Sequence, residues 1–463
     1  MAQCAVIRSN AARARPAVES IIMTVSHMQM SWGLLGPEIL PAERRTRTLN
    51  LGASVRAFNE LAVPGLGGLW FAKQLFLATL GVRAAEHART GRVQVTNIEA
   101  GNAIEAIACW SGFRRNGHAP DARLRGFRKL SGQQDLTFAR VRKPGFYVSQ
   151  PMRMSIVQAL PSLGLVDAGA SRFNAFRCTP TGDALIDAQA SGYEPCYYSQ
   201  GVLDYLVQWM SRGERLTDSS KLAVALSPLE PMMPDALALV AQQLSMGGDV
   251  DSGQARRRAA LAWVNAVREA GDADRELGWG QRPVAIDDAH WNDLRAGARF
   301  FRARDEALAV LDALEVAVAA NGSRPCFELG ADRIPDTVAE RLDALKLAAQ
   351  AFLDEGHDDA GANQFCRECI DPDDTKRVET LVMRDERVLR VKHGQIVPGP
   401  AFRDGATGAP DPADPDEAAP TVRAGIVWPA GISYRIQNLF LLNADLHGEL
   451  GHWLESRKPE ADE

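Results

Sequence analysis

Lysine and arginine side chains concentrate in one stretch of the chain, between Phe113 and Lys143. This stretch holds nine basic residues against two acidic ones, a local charge of +7 in a protein whose formal net charge is −6. Such cations neutralise nucleic-acid phosphates, although charge-rich loops are also often only solvated surface. The candidate nucleic-acid-binding residues in this stretch are Arg114, Arg115, Arg123, Arg125, Arg128, Lys129, Arg140, Arg142 and Lys143.

Cys366 and Cys369 form a Cys-x-x-Cys motif, which supplies two of the four tetrahedral ligands that zinc takes. His357, His393 and Cys326 are candidates to complete such a site. No second Cys-x-x-Cys occurs, and no thioredoxin-like strand–helix–strand pattern surrounds this one. Two unliganded thiols are therefore favoured, and no cofactor is expected. Structural zinc and a redox pair stay open as alternatives.

Motifs for catalysis are not evident. The run DLHGELGH at 445–452 departs from the metallopeptidase motif HExxH, since its histidines are five residues apart and its glutamate does not follow the first histidine. The sequence also lacks the phosphate-binding loop GxxxxGK[ST], the dinucleotide loop GxGxxG and the nucleophile elbow GxSxG. We therefore expect a non-enzymatic protein.

The segment after the basic stretch, residues 150–188, has the pattern helix, strand, polar turn, strand and helix. Apolar residues at helical spacing predict a helix over Met152–Leu160, and alternation predicts a strand over Phe173–Thr179. Thr179 is suited to cap the next helix, with Pro180 at its first position.

Within this segment, the run LGLVDAG…RFNAFRCTPTGDALID resembles the end of winged-helix modules of the MarR and PadR type. The resemblance is confined to residues 150–188. It implies that the helix before LGLV is the recognition helix, carrying Arg153. It also implies that Arg172 and Arg177 lie on or beside a wing that touches phosphates or the minor groove. The first two helices of such a module are not clearly identifiable upstream, because the basic stretch (residues 113–143, the basic segment) lies in between.

The whole chain is predicted to be mainly α with small β elements, an α+β protein. Helices are expected over Asp288–Ala320 and over Thr337–Asp354, the second opening with a capping box at Thr337. Val378–Val397 alternates as two or three antiparallel strands, and a last helix over Ser433–Ser456 packs on its own chain or docks on a partner. The expected domains are a disordered tail (1–30), a winged-helix-containing domain (31–190), a helical domain (191–365), a small β region (366–402), an acidic disordered linker (403–422) and the C-terminal helix (423–463).

Composition indicates a soluble protein, with 46% hydrophobic and 24% charged residues. Seven thinly spread cysteines fit a reducing, cytoplasmic setting better than a disulfide scaffold. The apolar window Leu61–Val82 is long enough to cross a bilayer, but Lys73 and Gln74 sit near its middle. We therefore expect a buried helix over Leu69–Leu80 and no membrane span.

These patterns favour a non-enzymatic DNA-binding protein that contacts mainly the DNA backbone. Because the chain is larger than a simple repressor, we expect a subunit of a multi-protein bacterial system, such as one acting against foreign DNA. Expected partners are DNA and other protein subunits, and a homo-oligomer is a further option. The alternatives are a scaffold that docks proteins through the winged helix and the C-terminal helix, a transcriptional regulator, and an enzyme with a scattered site.

Overall fold

The structure, a computed structural model, describes residues 47, 49–216, 220–248, 252–271, 275–322, 325–402 and 426–454. The predicted tail (1–30) and acidic linker (403–422) lie outside these residues. The described helices are α1 (Gly52–Ala62), α2 (Lys73–Thr90), α3 (Asn97–Arg115), α4 (Phe127–Leu130), α5 (Phe138–Val141), α6 (Met152–Ser155), α7 (Ala159–Ser162), α8 (Pro180–Ala190), α9 (Val202–Arg212), α10 (Ser220–Leu226), α11 (Pro234–Met246), α12 (Ser252–Glu269), α13 (Asp288–Ala320), α14 (Asp336–Leu353), α15 (Ala360–Cys369), α16 (Asp374–Asp385), α17 (Tyr434–Leu446) and α18 (Leu450–Trp453).

Short strands complete the fold. They are β1 (Val166–Ala168), β2 (Phe176–Cys178), β3 (Arg275–Glu276), β4 (Phe327–Glu328), β5 (Leu389–Lys392), β6 (Gln395–Pro398) and β7 (Ile426–Val427). They form an antiparallel pair β1–β2, a parallel pair β3–β7 and an antiparallel sheet in the order β4–β6–β5. The prediction of a mainly α protein with small β elements is confirmed.

Two hydrophobic cores organise the described residues. The first core draws on residues 62–294 and 426–453, and the second on residues 49–58 and 296–401. Helix α13 passes from one core into the other, with its N-terminal turns in the first core. The domain boundary predicted after residue 190 falls inside the first core, and the boundary predicted after residue 365 falls inside α15.

Helix ends follow local capping residues where the sequence provides them. The Thr96 hydroxyl accepts from the amide of Glu99, and the Glu99 carboxylate accepts from the amide of Thr96, which together cap α3. The Thr179 hydroxyl accepts from the amide of Gly182 at the start of α8, as predicted. The capping box predicted at Thr337 is wrong, because α14 already begins at Asp336 without a side-chain cap.

The predicted recognition helix over Met152–Leu160 does not form as one helix. The structure has two separate turns, α6 and α7, with a break at residues 156–158. Pro161 explains the break, since proline lacks the amide hydrogen that a helix interior needs and clashes with the preceding turn. The break places Pro161 in the first turn of α7, where proline is tolerated.

The strand pattern predicted over Val378–Val397 is correct only in its second half. Residues 374–385 form α16, whose start is capped by the Asp373 carboxylate. The strands β5 and β6 follow, joined at His393 and Gly394, which both have a positive φ. Their third partner, β4, comes from a distant part of the chain.

The predicted C-terminal helix is two helices, α17 and α18, separated at Gly448, where φ is +74°. The apolar face of α17 packs back on the protein itself, with Ile436, Leu439 and Phe440 buried in the first core. This face is therefore not available to dock another protein, and of the two options predicted for this helix the structure has the one that packs on its own chain. Among the described residues, no helix is long and apolar enough to cross a membrane.

Candidate nucleic-acid interface

Helices α2 and α3 form the platform on which the basic segment and the β1–β2 hairpin rest. They cross closely at Gly81 and Gly101, where a Cβ on Gly81 would lie 2.7 Å from the Cα of Gly101. Both helices are buried along most of their length. This close packing fixes the position of α3. The β1–β2 hairpin lies at the N-terminal end of α3, and the basic segment begins at its C-terminal end.

The β1–β2 hairpin (residues 166–178), or wing, is anchored to the N-terminal end of α3. The buried side-chain amide of Asn97 donates to the carbonyls of Phe173 at 3.0 Å and Phe176 at 2.9 Å. The amide of Ile98 donates to the side chain of Asn174 at 2.9 Å. These bonds hold Arg172 and Arg177 exposed at this end of α3.

A buried polar cluster joins the wing, the residues that follow the basic segment and the middle of α3. Glu105 accepts hydrogen bonds from the hydroxyl of Tyr147 and, at 2.9 Å, from the amide of Arg153. Burial raises the pKa of Glu105, against the effect of the Tyr147 hydrogen bond and the charge of Arg153. Burial also raises the pKa of Tyr147.

Arg153 belongs to this cluster and not to the surface. It is only 6% exposed, its guanidinium donates to Asn102 at 2.9 Å, and it lies 5.2 Å from the centre of the Phe173 ring. The expectation that Arg153 sits on an exposed recognition helix is therefore wrong. Its charge positions the wing against α3 and is not available to a phosphate.

The basic segment wraps along α3 as loops with two short helices, α4 and α5. The Trp110 indole donates to the carbonyl of Gln133 at 3.1 Å, and the rings of Phe113 and Phe127 lie 5.4 Å apart. The segment therefore uses its aromatic side chains to pack, which leaves many of its cations outside.

Several of these cations are held by neighbours. Arg123 binds Asp121 at 2.8 Å, Arg142 binds Glu99 at 3.0 Å, Arg140 binds Asp135 at 3.4 Å, and Arg115 lies 3.9 Å from Glu230. Arg125 and Lys129 donate to the carbonyls of Gln150 and Gly145, and Arg114 lies over the Trp110 ring. The acidic partners lower the charge that the four ion-paired arginines present to a ligand.

The remaining four cations are exposed and, within the described part of the chain, form no ion pair. Two of them, Arg172 and Arg177, lie on the wing, and the other two, Arg128 and Lys143, lie on the basic segment. The ammonium of Lys129 donates to the carbonyl of Gly145, which links the two parts of the basic segment that carry Arg128 and Lys143. The predicted residues thus divide into an exposed set, a paired set and the buried Arg153.

The predicted cysteine pair lies on α15, with both side chains buried in the second core. Burial raises the pKa of Cys366 to about 12 and raises that of Cys369 as well, which disfavours the thiolate that binds zinc. No group of three or more histidine, cysteine or acidic residues arranged to hold a metal occurs among the described residues. In this structure the two cysteines are packed as neutral thiols, and structural zinc stays a prediction.

Comparison with protein-family models, with curated proteins and with solved structures finds no match for this chain. The winged-helix resemblance stays a prediction. Function is therefore inferred from the residues and their geometry. The sequence did not point to Asn97, Glu105 and Tyr147 as positioning residues, although a glutamate inside the apolar run of α3 is a signal of a buried polar contact.

Proposed function

We propose that this protein binds DNA through phosphate contacts made by the wing and the basic segment. The observation that carries the proposal is the set of four exposed cations without an ion pair in the described structure, on two neighbouring segments of one platform. Phosphate contacts need exposed cations in a fixed arrangement, and the bonds from Asn97 supply that arrangement for the wing.

This mode of binding predicts modest sequence specificity. Sequence is read by side chains that reach base edges in the grooves, usually from a helix. The helix that would do so is replaced by two short turns, and its arginine is buried. Contacts are therefore expected to be dominated by the DNA backbone.

The proposal includes a cytoplasmic setting and membership of a multi-protein bacterial system, such as one acting against foreign DNA. In support of the setting, none of the six cysteines that the structure describes forms a disulfide with another described residue. The membership rests on the size of the helical body beside the DNA-binding face, and co-purification of the native protein with other subunits tests it.

Paired substitutions test the binding face. Replacing Arg172 and Arg177 with alanine is expected to weaken binding to a duplex and to reduce the steepness of its salt dependence by about two, one for each lost phosphate contact. The control replaces Arg341 and Lys346, two exposed cations on α14, with alanine and is expected to leave duplex affinity unchanged. Fluorescence anisotropy at several salt concentrations measures both. Equal affinity and equal salt dependence of the two double variants would refute the proposed face.

A further inference from the structure

A pocket of about 370 Å³ opens beside α9, next to the basic segment but separate from the wing. Three tyrosines, one tryptophan and two arginines contribute to its walls. Its lining residues include Tyr197, Tyr198, Tyr205, Trp209, Arg212 and Arg215. Flat aromatic rings beside guanidinium groups are the side chains that hold unstacked nucleic-acid bases.

The turn at residues 196–200 presents Tyr198 at the mouth of the pocket. The amide of Cys196 donates to the carbonyl of Gln200 at 2.9 Å, and the amide of Gln200 donates to the carbonyl of Tyr197 at 3.0 Å. Tyr198 has a φ of +50°, a conformation that costs free energy for a residue with a side chain, and it is 84% exposed. The turn thus holds a large aromatic ring in solvent at a conformational cost.

Behind Tyr198, the Tyr197 ring meets it edge to face at 76°, and the Tyr205 ring lies tilted at 46° against that of Tyr197. The ring centre of Tyr197 lies 4.5 Å from that of Tyr198 and 5.1 Å from that of Tyr205. Gln208 lies between Gln200 and Arg212, within hydrogen-bonding distance of both. The pocket therefore combines ring faces for stacking with amide and guanidinium groups for the polar edge of a base.

Direct contacts connect this pocket to the basic segment. The Trp209 indole donates to the carbonyl of Leu136 at 2.9 Å, and its ring lies 5.2 Å from that of Phe138. Arg142, on the basic segment, lies over the Phe138 ring, with its guanidinium 5.5 Å from the ring centre.

A second link runs through Asp135. Its carboxylate lies 3.4 Å from Arg140 on the basic segment and 3.9 Å from Arg215 in the pocket. One acid is thus shared by two exposed arginines, which leaves a net positive charge between the segment and the pocket. The pocket lining adds Arg212 and the acidic Glu214. A nucleic-acid backbone on the basic segment would therefore meet a small net positive charge at the pocket.

We propose that this pocket binds an unstacked base of single-stranded nucleic acid, with the strand's backbone along the basic segment. The inference rests on the proposed function for the backbone contacts, and it adds a base-stacking site with Tyr198 as the outer ring. Stacking tolerates every base, so the pocket prefers single strands over duplexes and shows little base preference.

The test compares Tyr198→Ala with Tyr198→Phe, using end-labelled single strands of DNA and of RNA, a strand of the same length with abasic sites, and the matching duplex. Wild-type protein is expected to bind the normal strand more tightly than the abasic strand. The alanine variant loses about tenfold in affinity for the normal strand and nothing for the abasic strand, whereas the phenylalanine variant retains binding. Thermal melting confirms that the variants are folded, as expected for an exposed side chain.

The possible outcomes separate this inference from the proposed function. If Tyr198→Ala binds single strands as the wild type does while the Arg172 and Arg177 variant loses duplex binding, the pocket is overturned and the proposed function stands. If duplexes do not bind but single strands bind through Tyr198, the pocket stands and the wing proposal fails. If wild-type protein binds neither, both are overturned. The comparison of DNA with RNA strands decides which sugar the site accepts.

Discussion

Arg153 and Glu105 show how a charged residue changes meaning once its partners are known. In the sequence Arg153 adds to the basic count, but in the structure it is buried beside Glu105, Asn102 and the Phe173 ring. Buried charges persist only when other groups compensate the loss of water, and this cluster provides that compensation. Charge density in the sequence therefore overestimates the charge that reaches a ligand.

Lys73 is a further buried cation, in the segment whose apolar pattern predicts a buried helix. It lies at the start of α2, is 2% exposed, and donates to the carbonyl of Ala225 at 3.2 Å. Burial lowers the pKa of Lys73 to about 7, although the carboxylates of Asp445 and Glu230 oppose the shift. Its ordinary value of 10.5 applies to the unfolded chain.

This difference predicts a pH-dependent stability. Between pH 10.5 and about 7 the unfolded chain holds the Lys73 proton and the folded protein does not, so stability falls as the pH falls through this range and is constant below it. The full difference corresponds to up to about 5 kcal/mol. Lys73→Met is therefore expected to be more stable than wild type at pH 7 and to lose this advantage towards pH 10.

Urea unfolding of both proteins at pH 7 and at pH 9.5 measures the effect. A methionine variant that is less stable at pH 7, by an amount that does not change with pH, would show that Lys73 is a favourable packed residue and not a strained one. Lys346→Met, on the exposed side of α14, serves as the control and is expected to show no pH-dependent difference.

At the scale of elements, the sequence predicts correctly those helix ends and helix bounds that depend on residues close together in the chain. Thr179 with Pro180 fixes the start of α8, and continuous helical periodicity gives the bounds of α13 correctly. Long-range contacts are not encoded locally, so the pairing of β4 with β6 and the contact of Trp209 with Leu136 could not be predicted. The recognition helix predicted over Met152–Leu160 is wrong because periodicity takes no account of Pro161 just beyond its end. Arg153 is lost to the site for another reason, its burial.

The wing's attachment to α3 is an element-scale feature with a direct test. Asn97→Ala removes both side-chain hydrogen bonds to the wing and leaves two buried carbonyls without that donor. The expected loss is about 1–3 kcal/mol of stability, together with faster amide exchange in residues 172–178 and weaker duplex binding. Asn116→Ala, at the opposite end of α3, is the control. Unchanged exchange in the wing would mean that Asn97 does not hold it.

At the scale of the whole molecule, α13 is expected to couple the two cores. All eight described tryptophans belong to or pack against the first core, so the fluorescence of these eight reports that core. Far-ultraviolet circular dichroism reports the helices of both. Because α13 contributes to both cores, the two signals are expected to change at the same urea concentration. A dichroism change that precedes the fluorescence change would show that the second core unfolds independently.

The charge of the molecule as a whole does not favour DNA, since the net charge is −6. Binding must therefore come from the local field of the wing and the basic segment, and each phosphate contact there should release bound counterions. Four exposed cations set the scale of the salt dependence, and the arginines held by acids add to it only if DNA displaces those acids.

The salt dependence of duplex binding by the wild-type protein is the decisive test of the proposed DNA-binding face. The logarithm of the association constant, plotted against the logarithm of the salt concentration, is expected to fall with a slope of about −4 for four phosphate contacts. A slope near zero, or no detectable binding at low salt, would contradict the claim that this face binds DNA.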